Sequence, residues 1–469
     1  MSDESRDALL FGWGGAVASS AKVYRPADVD ALRSILASLP PSTSVAVRGS
    51  GCSYGDASLN GGGVILDLTR LNRVRAFDPK TGIVHVDAGV TVRDLWRLAV
   101  PHGWWPPVVS GTAAPTIGGI LGANIHGKNA FHAGTISNHV LRFGALLADG
   151  SRIEVDRERD PELFGAFLGS FGLLGVITDA VIRLKPVPGG RMRVSVLAPR
   201  SLGAMIADFE REKDRSDYLV GWIDGFAGGT ELGRGVIHKA VYAGPDEDHE
   251  ATATLALDRQ DLPSTLFGVV PKSVMWAFLR PFLNDFGMSM INRAKDIAAR
   301  REAAVGKTYL QSHAAFAFLL DYVPGWKRAY GAGGLIQYQS FVPAAAAERV
   351  HSRMIAEARV RGLTPYLLVY KRHLPERGLM THAVDGFSMA MDFRVTASRR
   401  GPLWDLCREY DAWVAEAGGR IYFAKDATST PENVRRMFGS EVDALAAIKK
   451  RLDPHGRWRS DLARRLALG

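Results

Sequence analysis

Four glycine-rich segments carry the clearest chemical signal: Arg48-Gly49-Ser50-Gly51-Cys52-Ser53-Tyr54-Gly55-Asp56, Gly111-Thr112, Thr116-Ile117-Gly118-Gly119 and Ala123-Asn124-Ile125-His126-Gly127-Lys128-Asn129. Glycine has no Cβ, so loops of this kind bring backbone N–H groups close to a phosphate. The chain therefore reads as the holder of a phosphate-bearing cofactor. The spacing argues against the common dinucleotide fold. Gly49-Ser50-Gly51 is followed by Gly55 rather than by a third glycine at the G-x-G-x-x-G position, and no acidic residue stands where that fold binds a ribose.

In order, these loops resemble the PCMH-type flavin domain of the vanillyl-alcohol-oxidase superfamily, in which separate loops wrap an extended FAD. The runs Ser137-Asn138-His139-Val140, Gln337-Tyr338-Gln339, Tyr422-Phe423-Ala424-Lys425-Asp426 and Ser460-Asp461-Leu462-Ala463-Arg464-Arg465-Leu466 narrow it. Together with Ser53-Tyr54-Gly55-Asp56 and Ile125-His126-Gly127-Lys128-Asn129 they are similar to the decaprenylphosphoryl-β-D-ribose 2′-oxidase family, flavin subunits of an epimerase. The resemblance extends from Gly12-Trp13-Gly14 to the C-terminus. It implies FAD, held by the four loops and by Ile177 and Tyr422. It also implies oxidation of a secondary hydroxyl of a polyprenyl-phosphorylated pentofuranose to a 2-keto sugar. A separate short-chain NAD(P)H reductase would complete the epimerisation to arabinose for the cell envelope.

Such an oxidation needs a hydride acceptor and a group that takes the hydroxyl proton. Lys425 is the leading candidate for the second role, because a lysine desolvated beside a flavin can lose its proton at a lowered pKa. His126, placed near flavin and sugar by the resemblance, can orient a hydroxyl or relay its proton. Lys128 and Lys371 suit a substrate phosphate as flexible point charges. Gln337 and Gln339 flank Tyr338 in a strand, so both amides point to one face and can fix sugar hydroxyls. Each of these also has a plain reading as a surface or loop residue. Trp222, Trp326 and Phe393 read as core or pocket wall.

Three positions depart from the resembled pattern. Ala390 stands where the family has a cysteine, which removes a target for thiol-directed inhibitors and leaves hydride transfer intact. Ser388 stands where the pattern has asparagine, which alters sugar recognition at a substrate-binding position. Cys52 occupies the position at which covalent flavoproteins of the superfamily carry a histidine. A cysteinyl flavin and a small thiol packed against the ring are both open, and the family's non-covalent FAD favours the second.

The 469 residues, with 46% apolar and 23% charged content, allow two or three globular domains. With 58 basic against 49 acidic residues, the net charge of +9 favours anionic partners. The basic residues are dispersed and match no nucleic-acid-binding pattern. Two distant cysteines, Cys52 and Cys407, argue against a disulfide framework or a structural zinc, and no metal site is expected. A charged N-terminus without a leader pattern points to a cytoplasmic chain, with peripheral contact at the inner membrane face left open.

The expected fold is α+β. Residues 1–190 would form the two-lobed FAD-binding domain, closed by the break Lys185-Pro186-Val187-Pro188-Gly189-Gly190. Residues 191–417 would form a substrate-binding domain with an antiparallel sheet, and residues 418–469 would return to the first domain. Strands are expected at Ile83–Asp87 and Leu367–Tyr370, and helices at Val92–Ala99 and Ala344–Arg361. Residues 264–292, apolar and aromatic with Lys272, Arg280 and Pro281 between, suit either a mobile flap that meets lipid or an ordinary core helix. Alternatives are an oxygen-using oxidase of a free sugar alcohol or aldonolactone, and a non-catalytic module recruited to a membrane.

Overall fold

The computed structural model describes residues 5–266 and 270–469. Strand Val45–Arg48 runs straight into the first glycine loop and lies parallel to Val64–Asp67, which lies parallel to Ala18–Tyr24. Parallel neighbours need a crossover. Helix Val29–Ser38 lies in the crossover from Ala18–Tyr24 to Val45–Arg48, the strands on either side of Val64–Asp67; it is capped by Asp28 on the Ala31 amide and buries Leu32, Ile35 and Leu36 at i, i+3, i+4 spacing.

A five-stranded antiparallel sheet follows, in the order Val74–Asp78, Ile83–Asp87, Val176–Arg183, Val140–Leu146 and Arg152–Asp156. Helix Val92–Ala99 starts at a capping box between Thr91 and Asp94. The segment from Lys185 is not wholly irregular. Lys185–Pro186 pairs with Trp104–Trp105, a two-residue contact that proline tolerates at a sheet edge.

The third sheet has eight strands, ordered Thr308–Ser312, Arg191–Leu197, Gly235–Tyr242, Tyr218–Ile223, Leu367–His373, Gly386–Arg394, Leu335–Pro343 and Arg420–Ile421, with every pair antiparallel. Its register places Gln339 opposite Ala390, Gln337 opposite Asp392, Val369 opposite Ala390 and Trp222, and Val236 opposite Trp222. Directly opposed residues share a face. One face therefore carries Gln337, Gln339, Asp392, Lys371, Trp222 and His238. The other presents Tyr338, Tyr370, Met389 and Met391 to a core shared with Met354 and Leu406 of helices Ala344–Val360 and Ala397–Glu416.

The last segment joins these parts. Arg420–Ile421 extends the large sheet, whereas Trp458 is buried among Leu32, Val45 and Leu66. Val45 is hydrogen-bonded on both sides, its N–H to the Arg457 carbonyl (2.8 Å) and its carbonyl to the Arg459 N–H (2.8 Å).

The described part of the apolar stretch 264–292 is not one core helix, and residues 267–269 lie outside the described residues. Helix Met275–Leu279, the helical turn Arg280–Phe282 and the start of helix Asp285–Ala304 leave Phe278, Phe282, Phe286 and Met290 exposed, Phe286 by 76%. The second helix also continues well past residue 292. No helix among the described residues is long and apolar enough to cross a membrane.

Candidate active site

A cavity of about 620 Å³ lies between the glycine loops and the face of the large sheet that carries Gln337 and Gln339. Of the residues singled out in the sequence, Gly49 to Tyr54, Gly111, Thr116, Gly118, Gly119, Ala123, Ile125, His126 and Ile177 line it on the loop side. Lys128, Gln337, Gln339, Lys371, Tyr422 and Lys425 complete the wall.

The loops depend on glycine at two points. A Cβ on Gly49 would fall 2.0 Å from Thr116 Oγ1, so the first and third loops touch only because none is present. Gly51 has φ of +66°, and a Cβ there would fall 2.1 Å from an Arg48 terminal nitrogen. These bare backbones form a concave cradle of the kind an extended dinucleotide needs.

Four predicted residues stand outside the cavity wall. Arg48 turns its guanidinium to the Phe11 carbonyl (3.0 Å) and the Ser58 carbonyl (3.2 Å), bracing the loop from behind. Ile117 is fully buried, and its N–H is used by the Val90 carbonyl (2.8 Å). Asn124, at φ of +45°, donates to Glu376 (2.8 Å) and accepts from the Ser137 N–H (3.1 Å). Ser388 shares the cavity face of the sheet, opposite Lys371, but is fully buried there against Gln339 Nε2 (3.3 Å) and His373 Nε2 (2.8 Å).

Lys425 is fixed by a turn pinned on three sides. Tyr422 N–H donates to the Gln339 carbonyl (3.2 Å), Tyr422 OH to the Ala123 carbonyl (2.9 Å), and Tyr54 N–H to the Ala424 carbonyl (2.8 Å). Its Nζ sits 3.9 Å from the Tyr54 ring centroid. Burial pulls its pKa well down against the opposing pull of Asp392. Asp392, fully buried and accepting from Gln337, is pushed up by burial. His126 is held neutral, its pKa driven well down by burial and then by Lys371. Its Nε2 meets Gln339, and its Nδ1 is enclosed with no partner among the described residues.

The far end of the cavity is cationic. Lys128 donates to the Phe316 and Ala317 carbonyls, whereas Lys371 and Lys295 have no hydrogen-bond or ion-pair partner among the described residues. Burial brings Lys128 and Lys295 to about 7 and Lys371 to about 8. Among the described residues four lysines line the cavity, and no aspartate or glutamate does.

Lys295, Asp392 and His373 were not found from sequence. Lys295 lies just beyond the apolar stretch, and the only signal was its spacing with Met288, Asn292 and Ala299 on the inward side of one helix. Cys52 keeps a thiol pushed up to about 12 by burial, despite Lys327, Lys425 and Arg48 nearby.

The FAD-binding-domain family matches residues 20–156, the stretch that contains all four glycine loops. With the cradle that these loops form, this defines an FAD-dependent oxidoreductase. The chain is 33% identical over 98% of its length, and 97% of the relative's, to decaprenylphosphoryl-β-D-ribose oxidase of Mycolicibacterium smegmatis. It belongs to that enzyme's family. More partial similarity links it to cytokinin dehydrogenase 2 of Oryza sativa subsp. japonica, 34% identical over 47% of this chain and 41% of the relative. D-lactate dehydrogenase of Archaeoglobus fulgidus is 32% identical over 35% of this chain and 38% of its own.

Proposed function

We propose that the enzyme oxidises a secondary hydroxyl of a polyprenyl-phosphorylated pentofuranose to the 2-keto sugar. The observation that carries this reading is the group Lys128, Lys295 and Lys371 on the cavity wall, with no carboxylate lining it among the described residues, next to the cofactor cradle. Burial lowers the pKa of all three amines, and an anion beside them offsets the cost of keeping them charged. A neutral polyol or lactone would leave that cost standing.

FAD bound in the glycine cradle supplies the two-electron acceptor for the carbinol hydride. The neutral amine of Lys425 takes the hydroxyl proton as the carbonyl forms, which its lowered pKa allows. Gln339 and Gln337 hold sugar hydroxyls. His126 acts through Gln339, since its Nε2 is occupied there and its Nδ1 is enclosed. Lys128 and Lys371 meet the phosphate. FAD is held without a covalent bond, in keeping with the raised pKa of Cys52.

The keto product requires a separate NAD(P)H-dependent reductase to complete an epimerisation. The exposed Phe278, Phe282, Phe286 and Met290, beside exposed Arg280 and Arg293, support contact with an anionic lipid surface where such a substrate resides. Anaerobic addition of polyprenyl-phosphoryl ribose should bleach the flavin band near about 450 nm. A flavin that stays oxidised with this substrate, yet bleaches with free polyols or lactones, overturns the reading.

A further inference from the structure

Helix Asp285–Ala304 presents Lys295 to the cavity from the side opposite the glycine loops. The placement is built. Asn292, one turn earlier and buried, accepts from Trp222 Nε1 at 2.7 Å and donates to the Met288 carbonyl at 2.9 Å. That bond fixes the helix against the sheet and lays the Lys295 Nζ 3.0 Å from the centroid of the Trp222 ring. Trp222 shares the sheet face of Lys371 and His238, and all three line the cavity with Lys128.

Lys295 has no carboxylate or carbonyl partner among the described residues, and it is only half-buried. A lysine on an aromatic face keeps part of its electrostatic stabilisation while leaving the N–H donors that point away from the ring free. It is thus parked within reach of the cavity and lacks only an anion. On the outer side of the same helix, Phe286 and Met290 are exposed, so a single element carries a cation inward and an apolar surface outward.

We propose that Lys295 is a specificity-determining residue of this enzyme, forming with Lys128 and Lys371 a three-lysine site for the phosphate of the substrate. The proposal rests on the phosphorylated-sugar reading above and adds to it the residue that selects phosphorylated over free sugars. The phosphodiester of a polyprenyl-phosphoryl sugar carries one negative charge, which a lysine engages as a point charge rather than through a fork.

The test is calorimetric titration of the FAD-loaded enzyme with a short-chain polyprenyl-phosphoryl ribose and, separately, with an alkyl ribofuranoside that lacks phosphate. Lys295→Met keeps the stem over Trp222 and removes the charge. It should weaken binding of the phosphorylated ligand about tenfold to a hundredfold and leave the alkyl riboside unchanged. Lys295→Arg should restore most of the loss, and Lys295→Gln repeats the measurement if the Met variant fails to fold. Equal affinities of wild type and Lys295→Met for the phosphorylated ligand overturn the proposal, as does an equal loss for both ligands. Flavin bleaching in the same samples separates the two claims. Lys295-dependent binding without bleaching overturns the oxidation and supports the phosphate site. Bleaching with Lys295-independent affinity does the reverse, and no binding to wild type overturns both.

Discussion

Gln339 Nε2 donates to His126 Nε2 across 3.0 Å, joining residues 213 apart in sequence and tying the loop side of the cavity to its sheet side. An amide nitrogen only donates, so the imidazole accepts at Nε2 and carries its proton at Nδ1. The same amide nitrogen reaches Ser388, so two buried side chains, His126 and a Ser388 that is itself held by His373, fix Gln339 in one orientation. Gln339→Met and His126→Phe should each slow flavin reduction by substrate about tenfold, in line with one lost hydrogen bond of about 1.4 kcal/mol. The double variant should be scarcely slower than either single one, because both remove the same contact. Multiplying effects in single-turnover kinetics would show that the two residues act separately.

Lys425 gives a pH dependence of defined sign. Its pKa is lowered from the ordinary 10.5 by burial, and only the neutral amine takes a proton. The rate of flavin reduction should rise with pH and level off well below 10.5. Lys425→Met should cost about 10²-fold or more. Lys425→Arg should not rescue, since a guanidinium keeps its proton throughout this range. A rate that falls as pH rises from neutrality would exclude proton transfer to this amine.

The fold was largely legible because its signals are local. Val92–Ala99 forms a helix behind its capping box, and Ile83–Asp87 forms a strand by alternation. Glycine loops announced the cradle for a similar reason: their chemistry depends on backbone freedom within a few residues. Asp392 and Lys295 were hidden because their roles are set by register and helix facing. Asp392 reads as one polar residue among Met389, Met391 and Phe393, and becomes chemical only when the sheet sets it opposite Gln337. Ser388 could be located in its strand, but its burial against Gln339 and His373 could not. For residues 264–292 composition showed the apolar surface, while its exposure depended on how two helices pack.

The two cysteine questions are separable by labelling. Burial raises the Cys52 thiol to about 12, which opposes thiolate attack on a flavin. Protein precipitated with trichloroacetic acid should give a colourless pellet, and yellow retained there would prove a covalent bond. Ala390 lines the cavity, so Ala390→Cys in a Cys52→Ala background should gain one adduct with a small methanethiosulfonate, read by intact mass. Substrate should protect it. Absence of labelling, or labelling indifferent to substrate, would place position 390 outside the occupied volume.

Arg465 links the C-terminal helix to the first glycine loop and to the Lys425 turn. It pairs with Asp56 (2.8 Å) and Asp426 (2.9 Å), and both carboxylates are buried. Arg465→Met leaves two buried carboxylates without their cation, and should destabilise the protein by about 3 kcal/mol. Arg465→Lys keeps a charge without the fork and should fall between. The deficit should depend on pH with a fixed sign. Burial already favours the protonated form of Asp56, and Arg465 opposes it. Without Arg465 the folded-state pKa rises further above its unfolded value, so the folded variant binds more protons as pH falls. Lowering pH from about 7 to about 5 should therefore narrow the gap to wild type in urea-unfolding midpoints. A gap that stays constant or widens would mean that Arg465 acts by packing rather than as the shared counter-ion of Asp56 and Asp426.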